Sequence, residues 1–281
     1  MSKNLKQRIL TTAVGIPLIT VLLVLLPQYN FLGFSILAFI AAILGTREIE
    51  RLLIKKNTAY SFLPPLLVLA TYLEKLYKVS LPLTEIYLVF LLLIFFSKEI
   101  ISGESDDYSS VYKSLGNSLI MVFYPSYLIT YIIRILAYNS PNLDKKAGLY
   151  FLLMIILVFT NDIFAYIWGI SFGKNSKKPV KVSPHKSVVG FVGGHISSII
   201  ISLLLIYFFY PELTIVSAII LPIFISFTAN IGDLVESTLK RAAGVKDSGN
   251  IIPGRGGILD SMDSIIFTTP FFYLIMVLIS Q

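Results

Sequence analysis

The chain of 281 residues is 56% hydrophobic and 14% charged, carries a formal charge of +7, and contains no cysteine and only two histidines, His185 and His195. Disulfides and thiolate metal centres are therefore excluded, and so scarce a histidine supply argues against zinc. Soluble proteins average roughly 25% charged residues, so this much apolar side chain points to a bilayer as solvent. The basic excess then reads as membrane orientation, with no nucleic-acid partner.

A membrane-spanning helix needs about 20 mostly apolar residues. The first run, 10–27, follows three basic residues and precedes no A-x-A cleavage site, so it is expected to stay as a span and not to leave as a signal peptide. Further runs centre on 30–46, 60–76, 82–97, 117–138, 148–170, 189–210, 213–231 and 264–280. Glu74 and Lys75 shorten the third, and Pro64, Pro65 and Pro82 crowd the ends of the third and fourth. The expected fold is all-α, a polytopic integral membrane protein with about nine transmembrane helices. N-terminal transmembrane helices fill 1–140 and a catalytic region fills 141–281, within a single membrane-embedded unit. With nine spans and a cytoplasmic N-terminus, all of the 23 lysines and arginines except Lys75, Lys78, Arg134, Lys145 and Lys146 fall on one side, as the positive-inside rule requires. The C-terminus is then outside. The acidic stretch 103–110, GESDDYSS, reads as a solvated loop.

The densest polar stretch runs from Gly232 to Asp263. If the eighth span continues into it, Asp233, Glu236, Ser237, Lys240 and Arg241 share one helix face. Two carboxylates, a hydroxyl and two cations on such a face predict a site or a water-filled cleft, because ionisable groups at membrane depth are costly. Next comes GVKDSGNIIPGRGG, whose Gly244, Gly249, Gly254, Gly256 and Gly257 with Pro253 cannot form a helix interior. A loop so rich in glycine lets backbone N–H groups approach a phosphate. Asp260 and Asp263 then stand one turn apart at the start of the last span, a spacing suited to a hard cation such as Mg2+. Carboxylates for metal, cations for phosphate and a glycine cradle are the equipment of phosphoryl or nucleotidyl transfer.

The stretch resembles the phosphatidate cytidylyltransferase family, also called CDP-diacylglycerol synthases. Ser237, Leu239, Lys240, Arg241, Lys246, Asp247, Gly249, Pro253, Gly254, Gly256, Gly257, Ile258, Asp260 and Asp263 all match that family's C-terminal pattern. Upstream, Asp162-Ile163-Phe164-Ala165-Tyr166 is similar to its Asp-Thr/Ser-x-Ala-Tyr, and Ser183-Pro184-His185-Lys186-Ser187 to its Ser-Pro-Lys-Lys-Thr. Gly190, Gly193 and Gly194 also agree. Arg255 stands where the family usually has His, Ser261 where it has Arg, and Val188-Val189 where it has Trp-Glu. These departures bear on phosphate contacts and leave the carboxylates intact.

The resemblance implies a Mg2+-dependent reaction of CTP with phosphatidic acid, giving CDP-diacylglycerol and pyrophosphate. Asp233 and Asp260 are the leading expected metal ligands, with Asp263 and Asp247 as further ligands. Lys240, Arg241, Lys246 and Arg255 are expected to hold triphosphate and lipid phosphate. Asp162, Ser183, Lys186 and Ser187 extend the expected substrate site, while Lys174, Lys177 and Lys178 are left to topology or anionic lipid. His195 is expected to be a hydrogen-bonded structural residue, and Trp168 an interface anchor. A second cation, K+ or a second divalent ion, and a homodimer are compatible additions. The expected location is the inner membrane, with N-terminus and active site cytoplasmic. Two other readings stay open: the same chemistry on a different lipid phosphate, such as an isoprenoid ether, and a non-catalytic, transporter-like homologue.

Overall fold

The computed structural model describes residues 3–54, 58–101, 111–138 and 146–279. The expected loop at 103–110 lies outside the described residues, as do Lys55, Lys56 and Lys145. Ten α-helices account for most of the rest: α1 (Lys3–Thr20), α2 (Gln28–Ile54), α3 (Leu66–Leu76), α4 (Leu83–Ile101), α5 (Val111–Met121), α6 (Leu128–Leu136), α7 (Ala147–Phe172), α8 (Val188–Phe209), α9 (Ile215–Ala242) and α10 (Leu259–Ile279). Short π-helical segments extend α1 over Val21–Leu25 and join α5 to α6 over Val122–Tyr127. No strand occurs among the described residues.

Six of these helical segments are long and apolar enough to cross a membrane: α2, α5 through α6, α7, α8, α9 and α10. The protein is therefore all-α and multi-pass; among the described residues six segments meet this length and polarity, against the nine expected. The third expected run contributes only the 11 residues of α3, about 16 Å at 1.5 Å per residue. Pro64 and Pro65 delay its start. At its other end the buried Glu74 turns away from the helix to accept hydrogen bonds from the Thr84 backbone N–H (3.1 Å) and hydroxyl (3.0 Å) at the start of α4. A carboxylate used this way satisfies donors that the first turn of α4 would otherwise leave unmade.

The chain divides into two compact units: residues 1–137 with 247–261, and residues 138–246 with 262–281. In the first, α2 to α6 pack around a core of Leu67, Leu91, Phe95 and Val122. The buried hydroxyls of Thr46 and Ser126 pair there at 2.8 Å, as burial demands.

In the second unit, α7 packs on α8 and α9. The first half of α7 is buried, with Phe151, Leu153, Met154, Leu157 and Val158 fully enclosed. Small residues let α8 approach closely: a Cβ at Gly194 would come within 2.8 Å of the Asn161 carbonyl and amide oxygens. Gly232 of α9 meets α10 in the same way, with the Asp263 carbonyl 2.7 Å and Phe267 Cβ 2.6 Å from where its Cβ would stand. Close helix contact through small residues is the usual solution where lipid removes the hydrophobic drive between helices. Trp168 donates Nε1–H to Ser197 Oγ (3.2 Å) and packs on α8 over Gly193. His195 Nδ1 lies 2.8 Å from the Phe191 carbonyl one helical turn back.

Candidate active site

Two polar clusters hold the residues singled out in the sequence, one in each unit. The cluster in the second unit is a cleft of about 520 Å³ lined by Asp162, Tyr166, Gly169, Lys186, Ser187, Asn230 and Asp233, among others. It is supplied by the second half of α7, the turn before α8 with that helix's first turn, and the second half of α9. The fully buried Asn161 donates through Nδ2 to Asp162 Oδ1 (3.2 Å) and to Asn230 Oδ1 (3.2 Å), tying α7 to α9 beneath the cleft. Lys186 donates to Asp233 Oδ2, forming an ion pair whose side chains keep 28% and 33% of their exposure. It also lies over the Phe191 ring at 5.8 Å. Ser187 lines the cleft and has a structural part as well. It is buried and caps α8, its Oγ accepting the Gly190 N–H at 3.1 Å, as serine does at helix starts. The Ser183 carbonyl accepts the Lys186 N–H (3.1 Å), closing the turn that presents the lysine.

Further along α9, the buried Glu236 pairs with Lys240 one turn on. On α10, the buried Asp263 accepts the Ser264 N–H at 2.6 Å and lies within electrostatic reach of Asp233, Asp162 and Lys240. Arg241 points out and donates to the Val245 carbonyl (2.9 Å), closing the C-terminus of α9. Ser237 is half-buried on the same helix, and Lys246 is exposed.

The cluster in the first unit is the glycine loop. Gly254 and Gly256 adopt positive φ of 78° and 105°, which side chains other than glycine rarely tolerate. Asp260 Oδ2 accepts from the Ser248 N–H (2.7 Å), the Ser248 hydroxyl (2.9 Å) and the Gly257 N–H (2.8 Å). Arg255 donates to Thr12 Oγ1 of α1 (2.9 Å), and the Pro253 carbonyl accepts from Thr11 (3.1 Å). Asp247 is exposed, with its Cβ 3.4 Å from where a side chain on Gly256 would begin. Gly249 and Gly257 both back onto Glu48.

The structure thus brings Asp162, Lys186 and Asp233 together, places Asp263 within reach of their charge, and groups Asp247, Gly249, Arg255, Gly256, Gly257 and Asp260 in the loop of the first unit. Sequence reasoning missed Glu48, Ser248 and Asn230. Glu48 had a signal: it is a carboxylate at the end of an apolar run, and acids at membrane depth warrant a functional reading.

The expected metal can be tested against these donors. Among the described residues no three His, Cys, Asp or Glu side chains converge into a chelating group. Asp233 and Asp263 supply hard oxygen ligands close enough to repel one another. That set does not make an all-protein cage. It fits an ion that takes one or two carboxylates and completes its shell with water and substrate phosphate, which is the habit of Mg2+.

The fold and the cleft define a polytopic, all-α membrane protein with a charged site among its apolar helices. The chain belongs to the Cytidylyltransferase family, whose profile matches residues 6–279. Similar curated proteins include a phosphatidate cytidylyltransferase of Staphylococcus saprophyticus, 43% identical over 134 residues, covering 47% of this chain and 51% of the relative. One from Staphylococcus haemolyticus is 41% identical with the same coverage, and one from Bacillus subtilis is 38% identical over 139 residues, 50% of this chain and 51% of the relative. The match spans about half the length of these relatives.

Proposed function

We propose that the protein is a phosphatidate cytidylyltransferase, joining CTP and phosphatidic acid into CDP-diacylglycerol and pyrophosphate. The observation that carries this reading is Lys186, facing Asp162 and Asp233 in a cleft whose α7 wall bears the exposed apolar side chains Tyr166 and Ile170. A cation for phosphate thus lies beside a surface suited to acyl chains. The family membership and the names of the relatives support the same chemistry.

The lipid phosphate is the nucleophile. Its second pKa is near 6, so it is largely a dianion at neutral pH. One of its oxygens bonds to the α-phosphorus of CTP. The bond from that phosphorus to the bridging oxygen breaks, and the electron pair leaves with pyrophosphate. No proton has to be removed, so the site needs no general base, which suits a chain with two histidines. The protein's work is to hold two mutually repelling anions in line and to meet the charge that develops.

In this reading Lys186 grips the lipid phosphate and Asn161 keeps Asp162 oriented. Asp233 and Asp263 are the residues that would hold Mg2+, which when bound neutralises phosphate oxygens and polarises the bond to be broken. Asp260, whose Oδ2 takes three loop donors, shapes the glycine loop. Lys240, Arg241 and Lys246 of the second unit, and Arg255 of the first, are the cations each unit offers to phosphate. The excess of basic residues on one side argues for a cytoplasmic site in the inner membrane, where CTP is available and phosphatidic acid arrives sideways.

The test is purified protein in detergent with radiolabelled CTP, phosphatidic acid and Mg2+. A CDP-lipid product is expected, and its absence sinks the reading. Repeating the assay with an isoprenoid-ether phosphate decides the lipid class. Titrating Mg2+ with and without K+ decides the number of cations.

A further inference from the structure

We propose that Glu48 of α2 is a positioning residue that fixes the shape of the glycine loop and, resting on the function proposed above, the affinity for the CTP triphosphate. Glu48 is 1% exposed in an apolar helix. A buried carboxylate is unfavourable unless donors converge on it. Its donors come from one short segment distant in sequence. Oε1 accepts the Ile258 N–H at 2.9 Å, and Oε2 accepts the Leu259 N–H at 3.0 Å and the Ser248 hydroxyl at 2.9 Å.

The steric relation points the same way. A Cβ at Gly249 would lie 2.7 Å from Glu48 Oε1, and one at Gly257 would lie 2.4 Å from Oε2. The carboxylate occupies space that two glycines leave open, so the loop is moulded on it. The Ser248 hydroxyl sits 2.9 Å from both Glu48 Oε2 and Asp260 Oδ2. A hydroxyl has one proton to give, so the two carboxylates share a donor and act on the loop together. Asp260 holds the loop where it begins, at Ser248, and again at Gly257. Glu48 holds Ser248 and the residues after Gly257. Between these clamped ends run the positive-φ glycines and Arg255. Lys246 stands just before the first clamp.

Trypsin cleaves after Lys246 and Arg255, which lets the clamp be read without catalysis. In Glu48→Gln the amide oxygen keeps the side with two donors, and the amide NH2 then faces the Ile258 N–H, which loses its acceptor while the NH2 gains none. The expected result for the full-length protein in detergent is trypsin cleavage at Lys246 and Arg255 accelerated about tenfold, the scale of one unpaired buried donor when cleavage follows local opening. The KM for CTP should rise by about the same factor, with the KM for phosphatidic acid and kcat within about threefold of wild type. Ser248→Ala, which removes only the shared hydroxyl, should accelerate cleavage by about threefold; it decides the matter if Glu48→Gln does not fold. Wild-type cleavage rates in the folded variants overturn the proposal. So does a loss confined to kcat, or an equal rise in both KM values. If the wild type makes no CDP-lipid, the function reading fails while the cleavage rates still judge Glu48.

Discussion

Replacing Lys186 with Met keeps most of the side chain's length and removes its charge. In the structure that charge stands against two carboxylates, Asp162 and Asp233, in one cleft. Two unit charges about 4 Å apart interact by roughly 4 kcal/mol at an effective dielectric of 20 and by roughly 1 kcal/mol in water. Lys186 and Asp233 keep 28% and 33% of their exposure, so solvent screens the contact and the realistic effect lies between these limits. A charge-assisted hydrogen bond to phosphate is worth about 1.5–3 kcal/mol, and the uncompensated carboxylates repel a dianion further. The expected outcome is a 30- to 300-fold fall in kcat/KM for phosphatidic acid, roughly 2–3.4 kcal/mol at 1.36 kcal/mol per decade. The assay is CDP-lipid formation in mixed micelles at saturating CTP. Lys177→Met is the control: this exposed lysine sits in the same basic segment but does not line the cleft, and its variant should stay within about twofold of wild type. A Lys186→Met variant within threefold of wild type, or a Lys177→Met variant equally impaired, would refute the assignment of the lipid phosphate to this cleft.

Other expectations follow from the same geometry. Asp233→Asn and Asp263→Asn should each raise the Mg2+ concentration needed for half-maximal activity by about tenfold or more, and unchanged Mg2+ titrations would remove both from the metal site. Gly232→Ala pushes a methyl group against the Asp263 carbonyl and Phe267. It should cost about 1–3 kcal/mol, seen as a fall in Tm of roughly 2–4 °C per kcal/mol; an unchanged Tm would show that α10 gives way easily. In the turn between α8 and α9, burial works to raise the Glu212 pKa, but the Tyr150 hydroxyl and Lys146 outweigh it and hold the carboxyl below its ordinary value. Its contribution to stability is therefore present above the ordinary carboxylate range and is lost as pH falls through the depressed value. Thermal melts of wild type and Glu212→Gln should converge on acidification, and curves that stay parallel from pH 7 to pH 3 would count against the contact.

The sequence made the apolar helices legible because a bilayer imposes one length and one polarity on each. It did not foresee how short α3 is, where Pro64, Pro65 and the buried Glu74 bound the helix, since hydropathy averages over what those residues do. Asp162 could be named in advance because charge inside an apolar segment stands out locally, Asp233 because it opens the polar helix face, and Lys186 because it falls in a motif of the resemblance. Their assembly into one cleft follows from how α7, α8 and α9 pack, which no single segment contains. Glu48 drew no reading from the sequence, although it accepts from Ile258, 210 residues away. Ser187, named from a family motif, lines the cleft and also caps α8, a second task that only the fold reveals.

The division of the chain bears on how the protein can be taken apart. The segment 247–261 belongs with residues 1–137, yet it is encoded between α9 and the body of α10, which belong elsewhere. No single cut separates the two units. A fragment ending at Ala137 would carry Glu48 stripped of all three of its donors, and a chimaera that exchanged only the N-terminal half would mate one protein's carboxylate with another's loop. Swaps between relatives should therefore move residues 1–137 and 247–261 as one cassette.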